Sequence, residues 1–344
     1  MKALRFYGQE DIRLDEVARP QAESGGLLVK VEVCAICGTD LKAYFKGNPR
    51  IKPPQTIGHE FVGKIVEVGK DVNGYNVGER VTMATSISCG HCATCRAGYT
   101  NRCEGLKPIS YDYPGAFAEY IAIPPAGVSG GNTIKVPDTL SDMAALAEPI
   151  SCAINAQILA GVKMGDTVVV VGCGPLGAIH TQVARANGAT KIIVTQSSAE
   201  RLKLAAKLGI DEIIDTSKTD PVEEVMRLTG GIGADVVIVT ASAAAAQEQA
   251  IRMARKGGMI NLFASLPSGC SELKIDSRLL HYRELFISGA SDSTPYHVEL
   301  AVKLLESGFI SDKIITHRLP IDKFIDGLML MKESKSLKVV LKPE

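Results

Sequence analysis

Hydrophobic and polar positions change their pattern near the middle of the chain. Residues 1–85 contain short alternating or β-branched runs bounded by glycines, and three of these runs predict strands at 27–37, 61–69 and 79–85. The glycines between them predict turns. No long helical period occurs before Ser141. The first part of the chain is therefore predicted to be a small, irregular antiparallel β-barrel.

From Asp166 onward, apolar runs of strand length alternate with helical periods. A buried strand at 167–171 opens this part, and an Ala-rich helical stretch at 140–161 precedes it. Further strands are predicted at 191–195, 212–215, 235–240, 259–264 and 284–289, with helices at 199–209, 221–230, 243–257 and 295–310. Six strands joined by right-handed helical crossovers predict a doubly wound parallel sheet, so the fold class is α/β.

Composition limits the possible classes of protein. The chain has 344 residues, is 46% apolar, and balances 38 basic against 38 acidic residues. The size allows two domains, and the zero net charge argues against a nucleic-acid-binding protein. No apolar run approaches the roughly 18 residues of a membrane-spanning helix, and the charged start lacks a signal-peptide core. The expected location is the cytoplasm, with no membrane partner.

Three candidate metal ligands lie close together in the first part of the chain. Cys37, His59 and Glu60 supply a thiolate, an imidazole and a carboxylate, the ligand types that suit zinc, and glycine turns flank them. Three protein ligands leave one coordination position free, as in a catalytic zinc site. The alternative is a buried cysteine beside a hydrogen-bonded core histidine.

Four further cysteines lie within fifteen residues, at Cys89, Cys92, Cys95 and Cys103. This spacing predicts a closed, four-thiolate structural zinc site. Disulfides are disfavoured in an intracellular protein, and bacterial iron–sulfur motifs have a shorter final gap followed by proline. Two zinc ions per chain are therefore expected. The remaining cysteines are interpreted as small apolar fillers: Cys34, Cys152, Cys173 and Cys270.

A glycine motif follows the strand at 167–171 and precedes a helix. This context predicts that Gly172, Gly174, Leu176 and Gly177 bind a dinucleotide, with its pyrophosphate at the helix N-terminus. In NAD-binding proteins an acid about 20 residues further on holds the ribose 2′-hydroxyl. Here that position carries the uncharged pair Gln196 and Ser197, and Arg201 follows one helical turn later. The missing acid favours NADP(H) slightly over NAD(H), although Arg201 also suits a helix surface.

The sequences CGTD at 37–40 and GHEFVGKIVEVG at 58–69 resemble the zinc-dependent medium-chain dehydrogenase/reductase family, and within it the sorbitol dehydrogenase-like (polyol) branch. The resemblance extends over essentially the whole chain. It implies a GroES-like catalytic domain formed by residues 1–150 and 290–344, and a Rossmann domain formed by residues 151–289. It also implies a homo-oligomer, either a dimer or a tetramer.

The same resemblance assigns a role to Glu148, which stands before a proline in the apolar stretch at 140–161. In the family this position ligates the catalytic zinc or lies just behind it, and a glutamate there points to polyols. Glu60 and Glu148 compete for one coordination position, and sequence does not rank them. Relatives often carry an arginine after the last sheet strand. Here Ser291, Asp292 and Ser293 stand nearby, which weakens the case for sorbitol itself.

The resulting hypothesis is reversible oxidation of a secondary alcohol of a polyol or sugar to a ketone, with NAD(P). Thr39 is expected to take the substrate proton, and Asp40 to orient the histidine ligand or cap a turn. Relatives often have histidine where Lys42 stands. Lys42 is interpreted as a proton relay, an anion-binding group or a solvated charge.

Two other functions stay open from sequence, a sugar-phosphate dehydrogenase and a non-catalytic nucleotide-binding protein. Tyr111, Tyr113 and Phe117 are expected either to line a substrate cleft or to pack in the interior.

Overall fold

The computed structural model describes residues 1–267 and 269–343. The first part of the chain is built mainly from short strands, as the alternating pattern predicts. The strands are β1 Lys2–Gly8, β2 Asp11–Glu16, β3 Leu27–Ala35, β4 Gln55–Thr56, β5 Glu60–Val68, β6 Arg80–Met83, β7 Ser86–Ile87, β8 Lys107–Pro108, β9 Tyr120–Ile123 and β10 Thr133–Val136. Three short helices join them, α1 Gly38–Lys46, α2 Ala93–Arg96 and α3 Pro125–Ser129.

The second part alternates helices and strands. Its elements are α4 Ala147–Ala160, β11 Thr167–Val171, α5 Pro175–Ala186, β12 Lys191–Gln196, α6 Ala199–Ala205, β13 Glu212–Asp215, α7 Pro221–Leu228, β14 Ala234–Val239, α8 Ala244–Met253, β15 Ala254–Leu262, α9 Ser277–Arg283 and β16 Phe286–Gly289. The six strands form one sheet in the order β13-β12-β11-β14-β15-β16, and every pair is parallel. The predicted doubly wound sheet is confirmed.

The last part of the chain returns to the first sheet. It contains α10 Pro295–Glu306, β17 Ile315–Pro320, α11 Phe324–Lys332 and β18 Lys338–Lys342. Strand β18 pairs antiparallel with β3 and parallel with β17. The resulting seven-stranded sheet has the order β10-β6-β5-β3-β18-β17, with β9 also paired to β3. The GroES-like architecture that the resemblance implies is therefore present.

Helix α4 connects the two sheets. Val33 and Val62 of the first sheet and Val168 and Val170 of the second belong to one continuous hydrophobic core that includes the buried face of α4. Burial of this apolar surface is the main source of stability, at about 25 cal/mol per Å² removed from water.

The expected ends of three helices need correction. The helices expected at 199–209, 243–257 and 295–310 end four residues earlier, at Ala205, Met253 and Glu306. The second ends there because β15 begins at Ala254 and pairs with Ala234 of β14. The nine-residue helix α1 lies in a region where no long helical period is visible. Its helical character comes largely from its N-terminus, where Asp40 accepts a hydrogen bond from the backbone N–H of Cys37 at 2.8 Å.

The apolar stretch Asp142–Ala160 is long and apolar enough to cross a membrane, by length and composition alone. The expectation that no such run exists was therefore wrong for these 19 residues. In the most apolar 18-residue part of this stretch, 78% is buried inside the protein. The stretch is the core helix between the two sheets, which explains its composition.

Candidate active site

The three predicted donors of the open metal site come together where two neighbouring strands meet. Strand β3 runs antiparallel to β5, and Ala35 lies opposite Glu60. Cys37 therefore follows the end of β3 beside the start of β5, where His59 and Glu60 stand. One ligand atom from each of the three side chains lies within 4.8 Å of the other two.

Two buried atoms of this group lack a hydrogen-bond partner within the protein. They are Nδ1 of His59 and Oε1 of Glu60. A buried polar atom without a partner costs about 1–3 kcal/mol, so native structures rarely leave one unless a ligand satisfies it. A thiolate, an imidazole and a carboxylate with a free oxygen fit a zinc ion with an open position.

The second oxygen of Glu60 is held by a lysine from the far end of the chain. Lys338 of β18 donates to Oε2 of Glu60 and also to the backbone oxygen of Ile36 at 3.0 Å. Both ionic side chains are almost fully buried. Burial works against the charge of the lysine, but Glu60 holds the pKa of Lys338 above its ordinary value. Sequence analysis did not single out Lys338.

Glu148 lies in the first turn of α4. It lines a cleft whose wall also contains Cys37, His59 and Glu60. Burial raises its pKa to about 7, and His59 opposes the shift. In the described part of the chain, Glu148 is not a member of the close donor group that contains Glu60. The thiol of Cys152, one helical turn further on, lies 3.7 Å from Oε1 of Glu148. The geometry therefore places Glu60, rather than Glu148, with Cys37 and His59.

The four cysteines that were interpreted as apolar fillers fall into two pairs. Cys152 lines the cleft and Cys270 is exposed, so that interpretation is wrong for both. Cys34 and Cys173 are buried among apolar residues, as expected.

Helix α1 carries the three other predicted residues. Oγ1 of Thr39 lies 3.5 Å from Nε2 of His59, at the exposed side of the metal donors. Asp40 is buried, its carboxylate caps the helix through the N–H of Cys37, and burial raises its pKa to about 6. Asp40 therefore caps the helix, and it is not hydrogen-bonded to Nδ1 of His59. Lys42 is exposed and lines a cavity that also contains the glycine motif, called the nucleotide cavity below.

The four clustered cysteines have the geometry of a closed site. All nine cysteines are free, and the four ligand sulfurs lie within 4.8 Å of one another. Four sulfurs bound to one zinc at about 2.3 Å are about 3.8 Å apart. The Sγ–Sγ distance is 3.3 Å for Cys92 and Cys95, and 4.0 Å for Cys89 and Cys95. A hydrogen bond with Thr94 lowers the pKa of Cys92 to about 6, which favours the thiolate.

The loop that carries these cysteines also forms one wall of the substrate cleft, which sequence analysis missed. Asn101, Arg102 and Leu106 line the cleft between the two sheets. The side chain of Asn101 donates to the backbone oxygen of Ser291 at 3.2 Å and so ties the loop to the opposite wall. The loop with the four cysteines therefore also shapes the substrate cleft.

The substrate cleft has a volume of about 950 Å³, and the metal donors lie in its wall. Tyr111 lines the cleft, and the guanidinium of Arg50 lies 4.9 Å above its ring. Phe117 is fully buried and packs against Phe324, with ring centroids 5.2 Å apart. Tyr113 packs against the same core. Of the three aromatic residues, only Tyr111 faces the cleft.

A second cavity of about 660 Å³ opens from the first at the metal donors. The two cavities share Cys37, Thr39, Leu176, Phe263 and Ser265. The glycine motif lines the second cavity. A dinucleotide on this motif would therefore extend its reactive end toward the donors.

Two glycines of the motif, Gly172 and Gly177, are required by the backbone. Gly172 has φ +95°, a conformation that favours glycine. A Cβ on Gly177 would lie 2.0 Å from the backbone oxygen of Gly172, so helix α5 approaches β11 too closely for any side chain there. A Cβ on Gly174 would lie 3.5 Å from the guanidinium of Arg201. Arg201 thus lies over the turn that would hold the pyrophosphate.

Gln196, the last residue of β12, occupies the position where NAD-binding proteins carry an acid. Oε1 of Gln196 accepts hydrogen bonds from the N–H groups of Ser197 and Ser198 at 2.9 and 3.0 Å. This interaction folds the amide back onto the loop. Nε of Arg201 is buried and has no hydrogen-bond partner within the protein. Ser197 and Arg201 line the nucleotide cavity, and Arg201 brings positive charge to it.

Comparisons with known proteins identify the family of the chain. Residues 23–138 match the model of the alcohol dehydrogenase GroES-like domain, and residues 175–307 match that of the zinc-binding dehydrogenase domain. The chain is 35% identical to L-threonine 3-dehydrogenase of Bacillus licheniformis, over 100% of this chain and 99% of the relative.

Two solved structures resemble the whole chain. One is a putative zinc-binding dehydrogenase from Sinorhizobium meliloti bound to NADP, with TM-score 0.91, 34% identity and 99% coverage of both chains. The other is 2R,3R-butanediol dehydrogenase from Bacillus subtilis, with TM-score 0.91, 31% identity, and coverage of 100% of this chain and 99% of the other. The chain belongs to the zinc-dependent medium-chain dehydrogenase family, and its class is that of the zinc-dependent alcohol dehydrogenases.

Proposed function

We propose that the protein reversibly oxidises a secondary alcohol of a small polyol or sugar to the ketone, with NADP(H) as the redox partner. In the oxidative direction the carbinol carbon gives a hydride to the nicotinamide, and the hydroxyl gives a proton to solvent. The observation that carries this proposal is the junction of the two cavities, because metal donors and glycine motif open into one continuous cleft. A metal ion and a nicotinamide, which would act on the same carbinol group, are thereby brought together.

A zinc ion held by Cys37, His59 and Glu60 would supply Lewis-acid catalysis and lower the pKa of the substrate hydroxyl. Thr39 is placed to accept the proton of that hydroxyl, because it lies beside His59 and borders both cavities. Lys42, one turn along the same exposed face of α1, would pass the proton to solvent. Lys338 holds Glu60 in a fixed orientation toward the donors.

The polar lining of the substrate cleft supports a polyhydroxylated substrate. Its inner wall carries Ser86, Glu148, Asn155 and Asp292, which can bond several hydroxyl groups. The second candidate is a sugar phosphate, which is favoured by the exposed cations Arg50 and Arg102 on the cleft wall. An activity panel of polyols and sugar phosphates with both cofactors separates the two. Full zinc content with no turnover of any alcohol would instead indicate a non-catalytic protein.

The preference for NADP(H) can be tested at two positions. Gln196→Asp should shift catalytic efficiency toward NAD(H), mainly by weakening NADP(H), because a carboxylate repels a 2′-phosphate carrying about −1.5 to −2 charges. Arg201→Ala should weaken NADP(H) by about tenfold or more relative to NAD(H), because a guanidinium gains most from a phosphate partner. Values of kcat/KM for both cofactors provide the measurement.

Lys42→Ala is the matched control, since it removes another cation from the same cavity. We expect it to lower the oxidation rate more at low pH than at high pH, where hydroxide takes the proton directly, and to leave the cofactor ratio unchanged. A wild-type enzyme that already prefers NAD(H), with Arg201→Ala weakening both cofactors equally, would show that NAD(H) is the working cofactor.

We further propose a homo-oligomer, a dimer or a tetramer. Strand β16 is an edge of the six-stranded sheet, and Phe286 and Ile287 on it are 60% and 37% exposed. An exposed apolar edge strand is a ready site for pairing with another chain. Sedimentation equilibrium of the wild-type protein should give a mass of at least two chains, and a monomer at micromolar concentration would contradict the proposal.

A further inference from the structure

The segment that follows β16 crosses the substrate cleft in an unusual backbone conformation. Asp292 has φ +62°, in the left-handed region that residues other than glycine seldom occupy. Such conformations persist where surrounding contacts determine them, and they occur often at ligand-binding sites. Asp292 is half-buried and lines the same cavity as the metal donors.

Helix α4 holds this segment in place. The side chain of Asn155 donates to the backbone oxygen of Asp292 at 2.7 Å, and Oγ of Ser151 lies 2.6 Å from Oγ of Ser293. The same helix carries Glu148 in its first turn. The position of Asp292 relative to the reaction centre is therefore set by a rigid element and not by the loop alone.

The carboxylate of Asp292 has an unusual set of partners. The hydroxyl of Ser86 donates to Oδ2, and the N–H of Ser293 donates to Oδ1 at 2.9 Å. Neither partner carries a positive charge. A carboxylate has about four lone-pair sites, so acceptor capacity remains for a donor group of a substrate in the cleft that Asp292 lines. Two other ionisable groups on this wall, Glu148 and Cys152, carry no positive charge either; burial raises the pKa of each, and Asp292 adds to the shift.

We propose that Asp292, positioned by Ser86, determines substrate specificity by accepting a hydrogen bond from a second donor group of the substrate. That group is a hydroxyl or an ammonium beside the hydroxyl that is oxidised. A site built to bond a donor rejects analogues that lack it, because its own buried acceptor is then left unpaired. This inference rests on the proposed alcohol oxidation, and it adds that alcohols with a neighbouring donor group are the preferred substrates.

The test uses four alcohols that share one reacting carbinol. Isopropanol has no second polar group, propylene glycol adds a hydroxyl, its monomethyl ether adds an acceptor without a donor, and isopropanolamine adds an ammonium at neutral pH. The ether controls for the electron-withdrawing effect of oxygen. With the zinc-loaded enzyme and NADP⁺, kcat/KM for the glycol, the amine or both should exceed that for the ether by about 10- to 100-fold.

Asp292→Asn is the informative variant, because asparagine also tolerates the left-handed conformation and keeps the side-chain volume. It should reduce the donor-to-ether ratio by about tenfold or more, chiefly through KM. Ser86→Ala should reduce the ratio less, because it leaves the carboxylate and removes only its orienting bond. Asp138→Asn, at an exposed acid outside the cleft, should leave the ratio unchanged.

The outcomes distinguish this inference from the proposed function. A larger loss for the amine than for the glycol in Asp292→Asn would identify the ammonium as the donor, and the reverse would identify the hydroxyl. Equal kcat/KM for the glycol, the ether and isopropanol in the wild type would overturn the inference and leave alcohol oxidation standing. So would an unchanged ratio in a folded Asp292→Asn protein. No turnover of any alcohol on this panel or the wider one would refute both.

Discussion

Replacing Cys37 with serine is expected to reduce kcat/KM for alcohol oxidation by about 1000-fold or more, since a lost Lewis acid removes several kcal/mol of transition-state stabilisation. The protein should remain folded, because the surrounding core of β3 and β5 does not depend on the thiol. Zinc content, measured by elemental analysis, should fall from two ions per chain to one. Steady-state kinetics and thermal unfolding provide the other two measurements.

The matched control for this variant is Cys270→Ser, which alters an exposed cysteine outside both metal sites. It should retain two zinc ions, full activity and the wild-type melting temperature. Activity that survives in Cys37→Ser, or a wild-type protein that binds a single zinc ion when purified with zinc, would show that Cys37 does not hold a catalytic zinc.

Cys95→Ser is expected to have the largest effect on stability. Cys95 is buried in the four-thiolate lobe, and binding of a structural zinc contributes about 10–16 kcal/mol in small zinc-binding peptides. We expect a loss of several kcal/mol in the free energy of unfolding, observed as a lower melting temperature or as insoluble protein. Activity should also fall, because the same loop places Asn101, Arg102 and Leu106 in the wall of the substrate cleft.

The two cysteine variants are informative as a pair. Cys37→Ser should lose activity with little loss of stability, whereas Cys95→Ser should lose both. Removal of zinc by a chelator should first destroy activity, because the open site exchanges its ligand more readily than the closed one. If Cys37→Ser lowered stability as much as Cys95→Ser and spared activity, the roles of the two sites would have to be exchanged.

The sequence by itself determined the features that depend on local spacing. The six parallel strands follow from apolar runs separated by helical periods, and the glycine motif follows from its place between a strand and a helix. Cys89, Cys92, Cys95 and Cys103 are close in space because they are close along the chain. In each case the contacts are short-range, so the order of residues fixes the geometry.

Only the tertiary structure decided the features that depend on distant segments. Lys338 and Glu60 are 278 residues apart, and they form a pair because β18 joins the sheet that contains β3. The same assembly brings Glu60 into one close donor group with Cys37 and His59, a choice between Glu60 and Glu148 that sequence left open.

The wall of the substrate cleft also depends on distant segments of the chain. Ser86 and Asp292, 206 residues apart, meet because the segment that follows β16 reaches β7, which pairs with β8 in a separate two-stranded sheet. Asp292 in isolation is one acid among many in the sequence. Its carboxylate acquires a defined environment only when two sheets and α4 close around it, because long-range packing, and not local pattern, sets which polar groups face each other across a cleft.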